Sequence, residues 1–469
     1  MSKKSSSKTN FLAQGTILVI ASFVAKAIGM IYRIPLTHIL GDDGNGYYST
    51  ANEIYTIILM ISSFSLPLAV SRLVAEREYA GEVKNSYKVL ICSLRFAAVT
   101  GGILSILTFL LGGVITKYVM GVELASYALR VLAPAIFLFA LTGVLRGFFQ
   151  GHGTMVPTAV SQIIEQIINA IVSVAGAYVM LQYGLKLGEK KGDAELGTAL
   201  AAAGGTFGTV ASVGVALLFM IVIYLGYRNG FKRRMKKDKT RRRESDRAIY
   251  RAITYTILPI VLSTLVYNIS TIIDQGVFNH ILAGMGFTQK QYATVWGIYS
   301  GKFRVLMNVP LSIASCLAPS VVPALTEAMA NNDLREAGLR TRDTIRYTMV
   351  FTIPCAVGMA ALERPIMMML YGNNDSLALA AGIMQSGALL TVLLALSTLT
   401  TGILQGLGEM QAPLVHAATA VAIHLGFLVL FVVKFKWNIY SLCKHYFRTD
   451  HLSAQCTFHP QKTALSPGD

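Results

Sequence analysis

Five basic residues lie within long apolar stretches of the sequence, where a membrane-spanning helix would place them away from water. Lys26 and Arg33 are seven residues apart, so a helix would carry them on one face, two turns apart. Arg72, Lys302 and Arg304 lie in two further stretches. A charge at membrane depth is costly and is expected to face the protein interior or a water-filled cavity. Because guanidinium groups bind phosphate oxygens through two parallel hydrogen bonds, these five residues predict a binding site for a phosphate-bearing anion.

The spacing within this set separates Lys302 from Arg304. Being two residues apart, they cannot share a face of a regular helix. We expect Arg304 to face the interior together with Asn308, one turn later, while the position of Lys302 stays open. No acidic residue stands close to the cations in the sequence, which favours a bound substrate. The alternative for each cation is a side chain that reaches the membrane surface or is paired within the protein.

Two acidic residues in apolar stretches are candidates for ion coupling. Asp274 shares a helical face with three polar residues, Tyr267, Ser270 and Thr271. Glu165 lies in a polar stripe at helical spacing, formed by Gln162, Gln166, Asn169 and Ser173. A buried carboxylate can bind Na⁺ or a proton and so couple transport to an ion gradient, whereas the alternative is hydrogen bonding between helices. We predict ion coupling at Asp274 and Glu165, and no other cofactor, metal site or catalytic residue.

The composition indicates which elements position these residues. Hydrophobic residues make up 54% of the 469 residues, charged residues only 14%, and the mean hydropathy is +0.54. A soluble domain carries about 25% charged residues. Apolar stretches of membrane-spanning length recur along the chain, and the five scattered cysteines argue against a disulfide framework. The sequence therefore predicts an all-α polytopic membrane protein.

The apolar stretches predict eleven helices. They cover residues 11–40, 51–75, 88–117, 124–149, 156–183, 197–227, 249–284, 291–326, 343–366, 377–406 and 411–434. The glycine-rich segment GDDGNGYYSTANE begins at Gly41 and is predicted to be a loop, as is GLKLGEKKGDAE, which begins at Gly184.

A strongly basic segment sets the expected orientation. Twelve Lys or Arg residues lie between Arg228 and Arg251, within a chain of net charge +17. Such a segment between two apolar stretches is typical of a cytoplasmic loop, which places the N-terminus in the cytoplasm and makes membrane lipid a secondary partner. Nucleic acid is not expected as a partner, because neither aromatic residues nor a folded binding module accompany the charges.

Two pairs of similar segments indicate an internal duplication. RGFFQGHGTM (Arg146–Met155) matches TGILQGLGEM (Thr401–Met410), and SLPLAVSRLVAE (Ser65–Glu76) aligns with CLAPSVVPALTE (Cys316–Glu327). The offsets are 255 and 251 residues, so one duplication accounts for both pairs. We predict two pseudo-symmetric six-helix lobes, with the glycines of the repeated phrase ending a helix and permitting a tight turn. The predicted parts are an N-lobe (1–230), a basic cytoplasmic loop (231–248) and a C-lobe (249–434).

RIPLTHILG, SLPLAVSRLVAE and LAPAIFLFALTGVLRGFFQGHGTMVPTAVSQIIEQ resemble the stage V sporulation protein B group of polysaccharide biosynthesis proteins, from about residue 10 to about residue 433. That group shares a superfamily with the lipid II flippases and the multidrug and toxin extrusion transporters. The resemblance implies a monomeric flippase that moves an undecaprenyl-pyrophosphate-linked oligosaccharide or peptidoglycan precursor across the bacterial cell membrane by alternating access. It also implies cavity-facing cations at Lys26, Arg33 and Arg304, with Arg72 a looser match. Lysine at position 26 lacks the two-pronged geometry of arginine.

Two other functions remain as alternatives. A cation-coupled multidrug antiporter needs acidic residues in the first lobe, and only Glu165 is available there. A membrane glycosyltransferase would use acidic residues in the first external loop, where Asp42 and Asp43 stand, but the sequence contains no catalytic domain outside the membrane. A flexible glycine-rich turn is the simpler interpretation of that loop. We therefore expect a transporter and not an enzyme.

The final residues differ from the rest of the chain. The duplication predicts a twelfth helix near residues 452–482, but HLSAQCTFHPQKTALSPGD is polar and cannot span a bilayer. The preceding KFKWNIYSLCKHYFRTD places four Lys or Arg residues on the side that the positive-inside bias disfavours. We expect 435–469 to be an aberrant, disordered tail after a change of reading frame, with a truncated second lobe and weak or absent transport. The spacing of Cys443, His445, Cys456 and His459 matches no common zinc site.

Overall fold

A computed structural model of the chain describes residues 2–193, 195–238, 240, 243–331 and 333–407, together with 412, 415–416, 418–424 and 426. All regular elements in these residues are helical, in agreement with the predicted all-α fold. In chain order they are α1 (Ser2–Leu59), π1 (Met60–Phe64), α2 (Leu66–Tyr79), α3 (Val83–Val114), π2 (Ile115–Val119), α4 (Ala125–Gly151), α5 (Val156–Lys191), α6 (Leu196–Lys237), α7 (Asp246–Gly284), α8 (Gln289–Ile298), π3 (Tyr299–Phe303), α9 (Arg304–Ala330), α10 (Leu334–Ala361), α11 (Glu363–Tyr371) and α12 (Leu377–Gly406).

Several helical spans have the length and hydropathy that a bilayer requires. Within the described residues there are seven, namely Ile20–Tyr79, Val83–Val119, Ala125–Gly151, Val156–Lys191, Leu196–Lys237, Leu334–Ala361 and Leu377–Leu404. Their outer faces expose large apolar side chains, such as Ile106 and Leu218, which suit contact with lipid and not with water. The chain is a multi-pass membrane protein.

The predicted loop at Gly41 is wrong. The chain stays helical from Ser2 to Leu59, and only Gly41 departs from helical geometry, with φ 68° and ψ −178°. The glycines that follow allow close packing and do not confer flexibility: Gly46 lies against the backbone of Ala293 so closely that no Cβ would fit. Tyr47 is buried beside them. The segment is therefore a kink at which two helices, numbered together as α1, meet.

Other helix boundaries also differ from the prediction. The second predicted loop is helical to Lys191 and ends at Gly192, whose φ of 70° suits a helix C-terminus. The helix predicted over 343–366 divides into α10 and α11. Because α6 continues to Lys237, the basic loop predicted over 231–248 contracts to 238–245, hereafter the linker. Lysines at a helix C-terminus interact favourably with its dipole, which explains why α5 and α6 extend through lysine-rich ends.

Small residues govern the packing of the first half of the chain. A Cβ atom at Gly176 of α5 would lie 2.6 Å from the carbonyl oxygen of Gly204 in α6, so the two backbones touch. The same helices pack with α1 and α4 around buried side chains that include Leu36, Tyr47 and Leu132. In the second half, α9, α10 and α12 pack together, and α8 and π3 join them to α1.

The repeated segments make equivalent contacts in the two halves. A Cβ at Gly147 would lie 2.5 Å from the carbonyl oxygen of Pro67, which brings α4 against α2. At the equivalent positions, a Cβ at Gly402 would lie 2.9 Å from the carbonyl oxygen of Ala318, which brings α12 against α9. A three-dimensional contact repeated at matching positions is what an internal duplication predicts. Within the first phrase, Gly153 (φ 77°) provides the predicted turn, whereas Gly147 serves helix packing.

Acidic residues in the linker and at the start of α7 attach the linker to the α2–α3 turn. The Arg77 guanidinium lies 2.9 Å from the Glu244 carboxylate, and the Lys88 ammonium lies 2.7 Å from Asp246 at the start of α7. The Lys84 amide donates to Asp238 at 2.7 Å. The linker between the two halves is thus fixed to the first half at both of its ends.

Two predictions for the end of the chain concern residues that lie mainly outside the described part. Of the helix predicted over 411–434, residues 418–424 are described and are helical. The predicted tail, 435–469, and the four Cys and His residues considered as zinc ligands are outside the described residues.

Candidate functional site

A cavity of about 400 Å³ lies between α1 and the segment formed by π3 and α9. Its basic lining comes from Lys26, Arg33 and Arg304, and Asn308 lies beside Arg304 as the spacing predicts. Further polar lining is provided by Ser49, Asn52, Thr56, Ser300, Ser312 and Ser315. Three of the five predicted cations are therefore brought together in one polar cavity, although Arg304 lies far from the other two in sequence.

The side chain of Arg33 has a free donor. Its guanidinium carbon lies 4.5 Å from the centre of the Tyr48 ring, which holds the planar group by a cation–π contact. Its Nη1 atom is shielded from solvent and has no hydrogen-bond partner among the described residues. A buried donor without an acceptor is costly, so this group is suited to an anion that enters the cavity. Lys26, which lines the same cavity, forms no ion pair within the described part of the chain.

Arg304 is paired across the cavity wall with Glu53, to which its Nη1 donates a hydrogen bond. Glu53 itself is buried, with 9% of its surface exposed. The expectation that no acidic residue accompanies the cations is therefore wrong. Helical periodicity could not reveal this contact, because Glu53 lies 251 residues from Arg304.

Lys302 lies outside the cavity. The π3 helix, Tyr299–Phe303, precedes Arg304 and directs the two cations to different surroundings. The Lys302 side chain is 3% exposed and its ammonium lies 2.7 Å from the carboxylate of Asp42. Asp42, considered from sequence only as a catalytic residue or part of a flexible turn, is a partner in a buried ion pair.

The contacts around Lys302 lie next to the cavity, and we refer to them as its closed end because they join the two halves of the chain there. Thr37 and Tyr371 both donate to the carbonyl oxygen of Gly301 at 3.4 Å, joining α1, π3 and α11. With Asp42 and Lys302 these residues form the closed end, on the membrane side that carries Gly41. The lining residues of α9 continue from there to Ser315, so the cavity extends toward the side that carries the linker.

Arg72 does not contribute to the cavity. Its side chain is 67% exposed and its Nε lies 3.0 Å from the carboxylate of Glu76, one turn later in α2. The sequence of α2 alone could not show that Arg72 is exposed, because the direction of its side chain depends on how α2 packs against other helices. Gly147 brings α4 against the other face of α2 and leaves Arg72 at the surface.

The two predicted coupling residues have different surroundings. Asp274 accepts a hydrogen bond from, or donates one to, Nε2 of His424 at 2.7 Å, and lies close enough to Glu53 to interact electrostatically. Glu165 lies 2.8 Å from the Arg146 guanidinium, in an ion pair whose side chains are largely buried between α4 and α5. Asp274 is thus beside the cavity, whereas Glu165 is engaged in an internal pair.

The polar stripe around Glu165 forms hydrogen bonds between helices. Ser22 donates to Gln162 at 3.2 Å, and Asn169 donates to the Tyr32 hydroxyl at 3.0 Å, so α5 is joined to α1 at two levels. These contacts agree with the alternative interpretation of the stripe, which is hydrogen bonding within the bundle. Helical spacing could not identify Arg146 as the partner of Glu165, because the two residues lie on different helices, α4 and α5.

Comparison with known proteins identifies the family. The sequence matches the family model described as polysaccharide biosynthesis protein over residues 11–329. The chain belongs to this family. It is 26% identical over 432 residues to the lipid II flippase MurJ of Bacillus subtilis (strain 168), covering 88% of this chain and 76% of that protein. It is 24% identical over 369 residues to stage V sporulation protein B of the same organism, covering 79% and 68%.

Solved structures confirm the fold. An inward-facing multidrug resistance MATE family transporter of the MOP superfamily matches with a TM-score of 0.63 and 16% identity over 87% of both chains. Lipid II flippase MurJ in an inward closed conformation matches with a TM-score of 0.62 and 14% identity, over 90% of this chain and 82% of that one. The chain therefore has the fold of MOP-superfamily transporters, and it groups with flippases and transporters and not with enzymes.

Proposed function

We propose that this protein moves an undecaprenyl-pyrophosphate-linked oligosaccharide or peptidoglycan precursor across the bacterial cell membrane by alternating access. The observation that carries the proposal is the meeting of Lys26, Arg33 and Arg304 in one polar cavity. The relative named as a lipid II flippase supports a lipid-linked precursor as the substrate class.

The cavity offers a distinct role to each cation. Arg33 presents a shielded Nη1 that has no acceptor, and its ring contact orients the fork toward a phosphate. Arg304 reaches the same space from α9 and is held by Glu53 until a stronger anion competes for it. Lys26 adds a point charge without fixed geometry. Together they suit a pyrophosphate, which carries two linked anionic groups.

The same lining disfavours a multidrug antiporter. Three cations face the cavity against one carboxylate, Glu53, and that carboxylate is already neutralised by Arg304. A cavity with this balance repels lipophilic cations and attracts anions. Glu165, the acidic residue that an antiporter would require in the first half, is occupied by Arg146.

Alternating access requires that the closed end opens when the other side closes. The contacts at the closed end include the buried ion pair of Asp42 with Lys302 and hydrogen bonds at 3.4 Å to Gly301. We propose that Asp274 and His424 link this change to an ion gradient, because their contact lies beside Glu53 and joins α7 to the helix that contains His424.

A transport assay in vesicles tests the proposal. Purified protein is reconstituted into liposomes that contain a fluorescent undecaprenyl-pyrophosphate-linked saccharide, and the fraction of substrate that changes leaflet is measured with a membrane-impermeant quencher. The parent protein should move the substrate, and Arg33→Ala and Arg304→Ala should abolish movement while remaining folded and inserted. Arg340→Ala is the matched control, since Arg340 is an exposed arginine paired with Glu336.

Two outcomes would contradict the proposal. Normal movement by Arg33→Ala or Arg304→Ala would remove that residue from the substrate site. Export of a cationic dye by the parent, with no movement of the lipid, would favour the antiporter.

Substrates that carry a monophosphate in place of the pyrophosphate should move more slowly, because they offer one anionic group to the two arginines.

A further inference from the structure

A second cavity lies on the outer surface of the first half, at the turn that joins α3 to α4. Its volume is about 440 Å³, and its polar lining includes Lys117, Tyr118, Tyr127 and Arg130. The turn lies on the same side as Gly41, since the Tyr292 hydroxyl donates to the Gly121 carbonyl and the next residue, Ala293, packs on Gly46. This surface cavity shares no lining residue with the substrate cavity.

Arg130 carries a charge that no carboxylate neutralises. It is exposed, and within the described part of the chain it forms no ion pair and no hydrogen bond. The nearby acid, Glu123, lies 3.0 Å from the ammonium of Lys117 and is already paired. The cavity therefore holds two cations and one anion, and the charge in excess is that of Arg130.

Two glycines of α3 shape the surface on which Arg130 lies. A Cβ at Gly113 would be 3.1 Å from Nη2 of Arg130, and a Cβ at Gly112 would be 3.7 Å from its Cγ. A Cβ at Gly112 would make an ordinary contact with Arg130, whereas one at Gly113 would require the end of the Arg130 side chain to shift, and a larger side chain there would displace it further. The Arg130 side chain thus lies along α3 next to these two glycines, and its guanidinium lines the cavity.

The cavity also lies at the end of an apolar span, where polar and exposed apolar side chains meet. Val114 and Leu110, one and two turns before Tyr118 along the chain, are exposed apolar residues suited to contact with acyl chains. Tyr118 and Tyr127 are exposed at the rim, and tyrosines concentrate where the membrane meets water. A fixed cation in that position faces the phosphates of the surrounding leaflet.

We propose that this surface cavity binds the headgroup phosphate of an anionic phospholipid. The Arg130 guanidinium would donate two parallel hydrogen bonds to phosphate oxygens, and Lys117 would add a second charge. The tyrosine hydroxyls are available to the glycerol region, and the acyl chains would follow Leu110 and Val114. This lipid would stay bound at the surface of the protein in the surface cavity, and it would not be the transported molecule.

Fluorescence quenching by brominated lipids tests the proposal. A Tyr118→Trp variant of the full chain places a reporter in the cavity, and its signal is the difference from the parent, which has two tryptophans. Vesicles of phosphatidylcholine receive increasing fractions of brominated phosphatidylglycerol or of brominated phosphatidylcholine. The anionic lipid should reach half-maximal quenching at a roughly fivefold lower mole fraction, the size of one basic residue's contribution at a membrane surface.

Substitutions in the reporter background locate the effect. Arg130→Gln should remove the preference for phosphatidylglycerol, and Gly113→Leu should weaken it by displacing Arg130. Lys186→Gln, at an exposed lysine near the end of α5 on the same side, should leave it unchanged. Equal quenching by the two lipids, or an unaltered preference in Arg130→Gln, would overturn the proposal. Reversal by added inorganic phosphate would overturn the assignment to a lipid.

Discussion

Arg304 and Glu53 are 251 residues apart in sequence and form an ion pair in the wall of the substrate cavity. The pair connects the two halves of the chain at the place where the proposed substrate binds. A pyrophosphate that approaches Arg304 must compete with the Glu53 carboxylate, and the closed end of the cavity lies directly beyond it. Substrate binding and the contact between the halves are therefore linked through one guanidinium group.

Glu53→Gln should strengthen substrate binding. The neutral amide competes less well for Arg304, and we expect roughly fivefold tighter binding of the pyrophosphate-linked substrate, equivalent to about 1 kcal/mol. Binding can be measured in detergent by titration of the fluorescent substrate. Glu336→Gln, which alters an exposed pair with Arg340, is the control and should change nothing. Weaker binding by Glu53→Gln would show that the carboxylate supports the site instead of competing with the substrate.

Asp42→Asn should destabilise the closed end. Lys302 is 3% exposed, and removing one partner of a buried ion pair costs about 3–5 kcal/mol because the other charge is left uncompensated. Thermal unfolding in detergent should show the loss, and a cysteine at Ser49 in the cavity should become more reactive to a reagent added on the Gly41 side. The exchanged pair, Asp42→Lys with Lys302→Asp, should recover much of the stability. Equal stability of Asp42→Asn and the parent would mean that Lys302 finds another partner.

Arg72→Ala should retain transport. Arg72 is exposed and its i,i+4 pair with Glu76 contributes at most about 0.5 kcal/mol. The vesicle assay compares it directly with Arg33→Ala, which removes an arginine from the cavity. Loss of transport by a stably inserted Arg72→Ala protein would mean that the residue enters the substrate path in another conformation.

Asp274→Asn should make transport insensitive to collapse of the ion gradient that drives the parent protein, or should stop it. His424→Asn removes the partner at 2.7 Å while leaving the carboxylate. A loss of dependence on the H⁺ gradient in both variants would identify a proton as the coupling ion, whereas Na⁺ dependence that survives in His424→Asn would identify Na⁺. Unchanged dependence on both gradients would leave Asp274 as a structural residue.

Gly147→Ala should destabilise the protein by about 1–3 kcal/mol, because its methyl group would overlap the backbone at Pro67. Gly402→Ala should have a similar effect through Ala318 in the second half. Gly382→Ala is the control, since its added Cβ meets nothing within 4 Å and alanine favours the helix. Chemical or thermal unfolding measures the difference. If Gly147→Ala and Gly402→Ala were as stable as Gly382→Ala, the packed helices would be able to move apart at these positions without loss of stability.

The sequence was informative where a property depends on the residues of one helix. The seven-residue spacing of Lys26 and Arg33 placed both on one face, and the four-residue spacing of Arg304 and Asn308 did the same in α9. The membrane class follows from composition alone, and the repeated phrases mark contacts that recur in the structure.

Properties that depend on two distant segments could not be predicted in this way. Periodicity separated Lys302 from Arg304, but because it assumes a regular helix it could not reveal the π3 turn that precedes Arg304. The glycines near Gly41 have the composition of a flexible loop, yet they allow two backbones to touch. Only the position of Ala293, in α8, shows that these glycines serve close packing and not flexibility. The pairs Arg304 with Glu53 and Lys302 with Asp42 likewise require knowledge of how α1 meets π3 and α9.

The attachment of the linker to the α2–α3 turn fixes a pivot for the movement of one half against the other. The helix α7 starts at that attachment and has 39 residues, so it is a lever of about 58 Å. A rotation of about 10° about the attached end would move the opposite end by about 10 Å. In the present conformation that far end is held by Asn279, which donates to the Met120 carbonyl at 2.7 Å. Loss of a few short-range contacts at the far end of α7 would thus allow that end to move by about the diameter of a helix, while the attached end stays nearly in place.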